Sequence, residues 1–204
     1  MIKDLTFKFL GFTDYMETLE KMKNHVHLGN FQNEVWILEH KPVFTLGTAA
    51  DIKNIIDAKN IPVIQSDRGG EVTYHGPGQL VIYLLLDIKK LNLGPRSLIT
   101  NLQKFIQSLL KKYEIDSNFI EGAPGVYVNE MKIASIGLRI SNGRCYHGIS
   151  INVDMDLSPF NGINPCGYEQ LEVTQIKNLY ESITIKKVKQ DAVIMIRNLF
   201  NNSI

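Results

Sequence analysis

Apolar and polar positions alternate over residues 3–11, with Leu5, Phe7 and Phe9 in step, which predicts a strand. From Tyr15 the period lengthens. Tyr15, Leu19, Met22 and Val26 fall on one helical face, with Thr13 or Asp14 as cap and Gly29 as stop. Residues 34–39 predict a buried strand, residues 51–60 a short helix, and residues 61–64 a further strand. Residues 80–86 are apolar without interruption, the pattern of a strand covered on both faces. Pro95 and Ser97 open the strongest helix, whose inner stripe is Leu98, Leu102, Phe105, Ile106, Leu109 and Leu110.

Residues 122–125 read as a turn. Segments 126–128, 132–140 and 144–153 then predict adjacent strands joined at Asn129-Glu130 and Asn142-Gly143. With regular pleating, Ile133, Ser135 and Gly137 face one way and Lys132, Ala134 and Ile136 the other. Residues 174–180 predict one or two helical turns, and 187–200 a closing helix with Val188, Ala192 and Ile196 inward.

One stretch fits neither period. Arg68-Gly69-Gly70-Glu71-Val72-Thr73-Tyr74-His75-Gly76-Pro77-Gly78-Gln79 lies between two apolar runs and combines glycines with ionisable side chains. A plain turn needs the glycines but not the arginine, tyrosine and histidine, so the stretch is read as a binding wall that a ligand approaches closely. Its spacing matches neither nucleotide-binding glycine fingerprint. The small-residue patches Ser135-Ile136-Gly137 and Gly148-Ile149-Ser150 on neighbouring strands suit the same ligand. Lys132 heads one of those strands. Cys166 sits between Pro165 and Gly167 on a turn-rich loop, an open setting for a nucleophile, whereas Cys145 sits in an apolar strand.

At 204 residues, with 44% hydrophobic and 21% charged residues, the chain has the size and composition of one folded domain, residues 1–204. The net charge of +1 removes any global case for a nucleic-acid partner. No apolar run reaches the ~18 residues of a membrane span, and the first residues lack a signal or transit pattern, so a cytoplasmic location without a membrane partner is expected. Two cysteines support neither a disulfide framework nor, alone, a zinc site.

Glu39-His40-Lys41-Pro42-Val43-Phe44-Thr45-Leu46-Gly47, the run from Arg68 to Gln79, Gly125-Val126-Tyr127-Val128 with the Lys132-to-Gly137 segment, His147-Gly148, Asn152, and Leu157-Ser158-Pro159-Phe160 with Pro165-Cys166-Gly167 together resemble the lipoyl(octanoyl) transferases. The resemblance spans nearly the whole chain in order. It implies an α/β (α+β type) single domain, a mixed β-sheet flanked by helices, as in biotin and lipoate protein ligase catalytic domains. It also implies octanoyl transfer from octanoyl-acyl carrier protein to a lysine ε-amine of an apo lipoyl domain. Acceptors of that kind are the acyltransferase (E2) subunits of 2-oxoacid dehydrogenases and the glycine-cleavage H protein. The thioester donor is already activated, so no cofactor, ATP or metal is implied.

Carried over by motif, the acyl-thioester nucleophile falls on Cys166 and its paired lysine on Lys132. The substrate wall falls on Arg68 to His75, Ser135 to Gly137 and Gly148 to Ser150. A free cysteine titrates near ~8.5, and a neighbouring ammonium favours its thiolate. Ser150 stands where the family commonly has alanine and Leu84 where it commonly has proline. The competing readings are an ATP-dependent ligase on the same fold, a cysteine hydrolase with His75 or His147 as base, and a non-catalytic acyl-carrier-binding module.

Overall fold

The computed structural model describes residues 5–120, 122–165 and 171–202. In chain order its elements are β1 (Thr6–Thr13), α1 (Tyr15–His27), β2 (Glu34–His40), β3 (Val43–Leu46), β4 (Val63–Gln65), β5 (Val72–His75), β6 (Gln79–Asp87), α2 (Pro95–Lys111), β7 (Asn118–Ile120), β8 (Ala123–Val128), β9 (Met131–Ser141), β10 (Arg144–Asn152) and α3 (Ile185–Asn202). A seven-stranded sheet runs β1-β2-β6-β10-β9-β8-β7, and a three-stranded sheet runs β4-β3-β5. Both are mixed: β1 is parallel to β2 and β4 to β3, and the other pairs are antiparallel.

The uninterrupted apolar run of β6 has the meaning expected of it. Leu80, Ile82, Leu84 and Leu86 pack under α2 and α3, while Val81, Tyr83 and Leu85 pack under α1. Helix α1 begins where the Asp14 carboxylate accepts from the Met16 and Glu17 amides at 2.9 and 3.3 Å. It covers only part of its face of the large sheet. Beyond it the small sheet takes over, with its own core of Phe44, Leu46, Tyr74, Phe160 and Ile163.

Several local expectations are corrected. Residues 51–60 form only a 3-10 turn, Ile52–Asn54, because Asp51 caps its amides at once and no apolar stripe continues it. The 174–180 segment does form one helical turn, the 3-10 turn Ile176–Asn178, at the short end of what was expected. The turn expected at 122–125 ends earlier, since Ala123 already belongs to β8. Strands β3, β5 and β7 had no expected counterpart: β3 lies just past Pro42, β5 is hidden inside the glycine-rich stretch, and β7 is a three-residue exposed edge. Strand β1 runs two residues beyond Gly11, which adopts φ +68° at a register shift against β2. Among the described residues no helix is long and apolar enough to cross a membrane.

Candidate functional site

Where α1 stops covering the large sheet, the strands carry little bulk. On the exposed face of the β6–β10–β9–β8 region the register aligns Tyr83 with Gly148 and Gly137, then Val81 with Ser150, Ser135 and Gly125. Small side chains there leave a gap that β5 and residues 68–71 roof but do not fill. The result is a cavity of about 310 Å³, at the lower end of the ~300–1,000 Å³ usual for ligand pockets.

Of the wall residues expected from sequence, Arg68, Gly69, Gly70, Glu71, Val72, Thr73 and His75 line this cavity, as do Ser135, Ile136, Gly137, Gly148, Ile149 and Ser150. Tyr74 does not. Strand alternation turns it to the other side of β5, where its ring packs against Phe44 and Phe160 with centroids 5.5 Å away. Tyr15, Tyr83, His147, Asn152 and Pro165 also line the cavity. Tyr15 and Tyr83 carried no signal beyond their apolar stripes, because only the packing of α1 on β6 brings them here.

Lys132 lines the cavity and is 4% exposed. This reverses the face expected from regular pleating. Tyr127 pairs with Lys132 and Val126 with Ala134, so Ile133 is one extra residue, a bulge that resets the alternation. Lys132 therefore shares a face with Ser135 and Gly137 instead of entering the α2/α3 core. Its Nζ lies 5.6 Å from the Tyr127 ring centroid. Gly125 makes room for it: a Cβ there would sit 2.7 Å from Lys132 Cε, and φ +156° also disfavours a side chain. The signal was present in the paired apolar residues Ile133 and Ala134, which no strict alternation accommodates.

Cys166 lies outside the described residues. Its predecessor Pro165 lines the cavity. After the undescribed segment the chain returns beside Lys132, whose amide donates to the Glu172 carbonyl at 2.8 Å and whose carbonyl accepts from the Thr174 amide at 2.9 Å. Both ends of that segment thus border the Lys132 end of the cavity.

Buried polar side chains brace the cavity along its length. The Arg68 guanidinium donates to the Thr45 carbonyl at 2.7 Å and to Thr45 Oγ1, and the Gly69 amide donates to the Leu138 carbonyl at 2.9 Å. His75 Nδ1 meets Gln79 Oε1 at 2.7 Å, and Gln79 donates to Asn152 Oδ1 at 2.9 Å. His40 Nε2 meets the Tyr83 hydroxyl at 2.7 Å, so the histidine of the 39–47 motif supports the site from behind. His147 Nε2 meets Asp67 Oδ1 at 2.8 Å, and Tyr146 donates to Oδ2 of the same carboxylate.

Burial pushes His75 down to about 3 and His40 down to about 4, so both are neutral imidazoles at neutral pH. Burial also lowers His147, against the pull of Asp67. Burial alone would raise the Asp67 carboxyl, but hydrogen bonds from His147 and Tyr146 outweigh it and hold it below the ordinary range. Cys145 is inert by comparison: burial pushes its thiol up to about 12, and it donates to the Leu84 carbonyl at 3.3 Å.

The lowered histidines have a stability consequence. Between the unfolded value of about 6.5 and the folded values of about 4 and about 3, the unfolded chain binds more protons. Stability is then present above about pH 6.5 and is lost as pH falls toward 4, by roughly 1.4 kcal/mol per pH unit for each histidine. Thermal unfolding at pH 7.5 and 5 should show a lower Tm at pH 5, and His75→Gln should flatten the slope. An unchanged slope in that variant would remove His75 from the account.

The lipoyl protein ligase A/B catalytic domain family model matches residues 14–195. An octanoyltransferase of Legionella pneumophila (strain Corby) is 51% identical over 186 residues, 90% of this chain and 94% of that one. An octanoyltransferase of Francisella tularensis subsp. novicida is 46% identical over 200 residues, 97% of each chain. Among solved structures, a putative lipoate protein ligase from T. acidophilum superposes with TM-score 0.78 at 12% identity, over 97% of this chain and 86% of that one. The biotin protein ligase of Aquifex aeolicus gives TM-score 0.58 at 15% identity, over 98% and 70%. Two mixed sheets with three helices, in this arrangement, are therefore the catalytic fold of biotin and lipoate protein ligases. Within that class the chain belongs to the octanoyltransferase family and is an acyltransferase.

Proposed function

We propose that residues 1–204 form a single catalytic domain that moves octanoyl from octanoyl-acyl carrier protein to the lysine ε-amine of apo lipoyl domains. Those domains belong to the E2 subunits of 2-oxoacid dehydrogenases and to the glycine-cleavage H protein. The Cys166 thiolate attacks the donor carbonyl, and the carrier's phosphopantetheine leaves as a thiolate that takes its proton from the Lys132 ammonium, which becomes a free amine. The acceptor amine then attacks the enzyme thioester, Lys132 accepts the proton released on amide formation, and the Cys166 thiolate departs. No step calls for ATP, metal or another cofactor, because the thioester supplies the activation. Both donor and acceptor are soluble proteins, which fits a cytoplasmic reaction.

The observation that carries this reading is the placement of Lys132. A bulge spends strand regularity to put a lysine in a cavity that Pro165, the residue before Cys166, also lines. Arg68 to Thr73 and His75, with Ser135 to Gly137 and Gly148 to Ser150, form the acyl slot along the strands away from that pair. Exposed Lys41 and Arg139 are suited to steering acidic carrier and lipoyl domains.

Intact-protein mass spectrometry after mixing with octanoyl-acyl carrier protein tests this directly. The wild type should gain one octanoyl group, Cys166→Ser should gain no thioester, and the group should pass to an added apo lipoyl domain without ATP. Transfer that occurs only with free octanoate and ATP would replace this reading with the ligase one. Release of free octanoate at the transfer rate with no acceptor present would replace it with the hydrolase.

A further inference from the structure

The end of the slot away from Lys132 is not built for a hydrocarbon tip alone. Residues 68–69 cross β9 there: Gly69 bonds the Leu138 carbonyl, and a Cβ on Gly137 would meet the Arg68 side chain at 3.3 Å. His147 is the register partner of Leu138, six residues along β9 from Lys132, or roughly 15–20 Å at the ~3.3 Å rise of a strand. It lines the cavity.

By alternation His147 belongs on the α2/α3 side of β10, since Tyr146, Gly148 and Ser150 face the other way. It takes φ +61° in mid-strand, and its pairing with Leu84 is missing from the β6–β10 ladder. A left-handed non-glycine residue inside a strand persists only where its surroundings enforce it. Here Asp67 enforces it through Nε2. A carboxylate accepts, so Nε2 carries the proton and Nδ1 is a bare acceptor. That Nδ1 is enclosed and meets no hydrogen-bond partner among the described residues, in a side chain only 1% exposed. Buried acceptors are normally satisfied, so this one calls for a donor that the described residues do not supply.

Building on the proposed acyl transfer, we propose that the end of the slot away from Lys132 is a second recognition point. It accepts medium-chain acyl groups whose far end carries a hydrogen-bond donor, a terminal hydroxyl, which His147 Nδ1 receives. The reactive carbonyl stays at the Lys132 end, and the chemistry there is unchanged.

The test compares kcat/KM for two carrier thioesters of equal chain length, octanoyl and the analogue with hydroxyl in place of the terminal methyl. A wholly apolar slot discriminates between such a pair by about 100-fold. The wild type should instead use both within about threefold, and His147→Leu should restore a preference of about 100-fold for octanoyl. Should His147→Leu not fold, a third chain of equal length ending in a methyl ether, which only accepts, keeps the test within the wild type. It should be used at least tenfold less well than the hydroxyl chain. Transfer of octanoyl with about 100-fold rejection of the hydroxyl chain would overturn this inference and leave the acyl-transfer reading intact, as would an unchanged ratio in His147→Leu. Failure to transfer octanoyl at all would instead remove the acyl-transfer reading.

Discussion

Lys132→Met lowers kcat/KM for octanoyl transfer by about 10²–10⁴-fold, the range lost with a positioned general base. Methionine keeps an unbranched stem of similar volume in the space that Gly125 leaves open, so the fold and the cavity wall remain. What disappears is the group that accepts a proton from the attacking amine. Lys132→Arg separates this role from simple charge. Guanidinium can favour the Cys166 thiolate but does not give up its own proton. The arginine variant should therefore form the octanoyl adduct while passing it on at least 100-fold more slowly. Single-turnover transfer from the preformed adduct reads this out. A transfer rate within threefold of wild type in either variant would remove Lys132 from proton transfer.

The limits of reading this site from sequence are visible in the same residue. The apolar run of β6, the stripe of α1 and the small residues of β9 and β10 each carry a periodicity that maps onto a face, and the structure keeps those faces. Lys132 breaks the rule because a bulge costs one residue and inverts everything beyond it. His147 breaks it differently, through one backbone angle that a side-chain pattern does not encode. The glycine-rich stretch advertised a binding wall, but composition could not say that Thr73 and His75 would enter the cavity while Tyr74 left it. That depends on β5 pairing with β3, a contact between segments whose order in space only the fold decides. Tyr15 and His40 illustrate the same gap. Their roles come from meeting partners far along the chain: Ser66 at 2.7 Å for Tyr15, Tyr83 at 2.7 Å for His40.

Gly78→Ala should be among the most destabilising conservative changes in the motif, although Gly78 does not line the cavity. Its φ is +83°, and a Cβ would lie 1.9 Å from the Asp154 carbonyl oxygen, a backbone atom that cannot swing away. The residue is also fixed from both sides. Its amide donates to Glu39 Oε2 at 2.7 Å, and its carbonyl accepts from the Val153 and Asp154 amides at 3.3 and 3.0 Å. Relief of the clash therefore has to break the turn that joins β5 to β6 or pull the end of β10 away. Left-handed strain of about 1–2 kcal/mol and overpacking of about 1–3 kcal/mol give a loss of about 2–5 kcal/mol. For a chain of this length that is a fall in Tm of about 4–20 °C. Gly29→Ala is the matched control: nothing lies within 4 Å of its added Cβ and its φ is not left-handed, so its stability should stay within about 0.5 kcal/mol of wild type. Equal melting temperatures for the two variants would mean that the β5–β6 turn relaxes freely around residue 78, and the close approach to Asp154 would then carry no constraint on the motif.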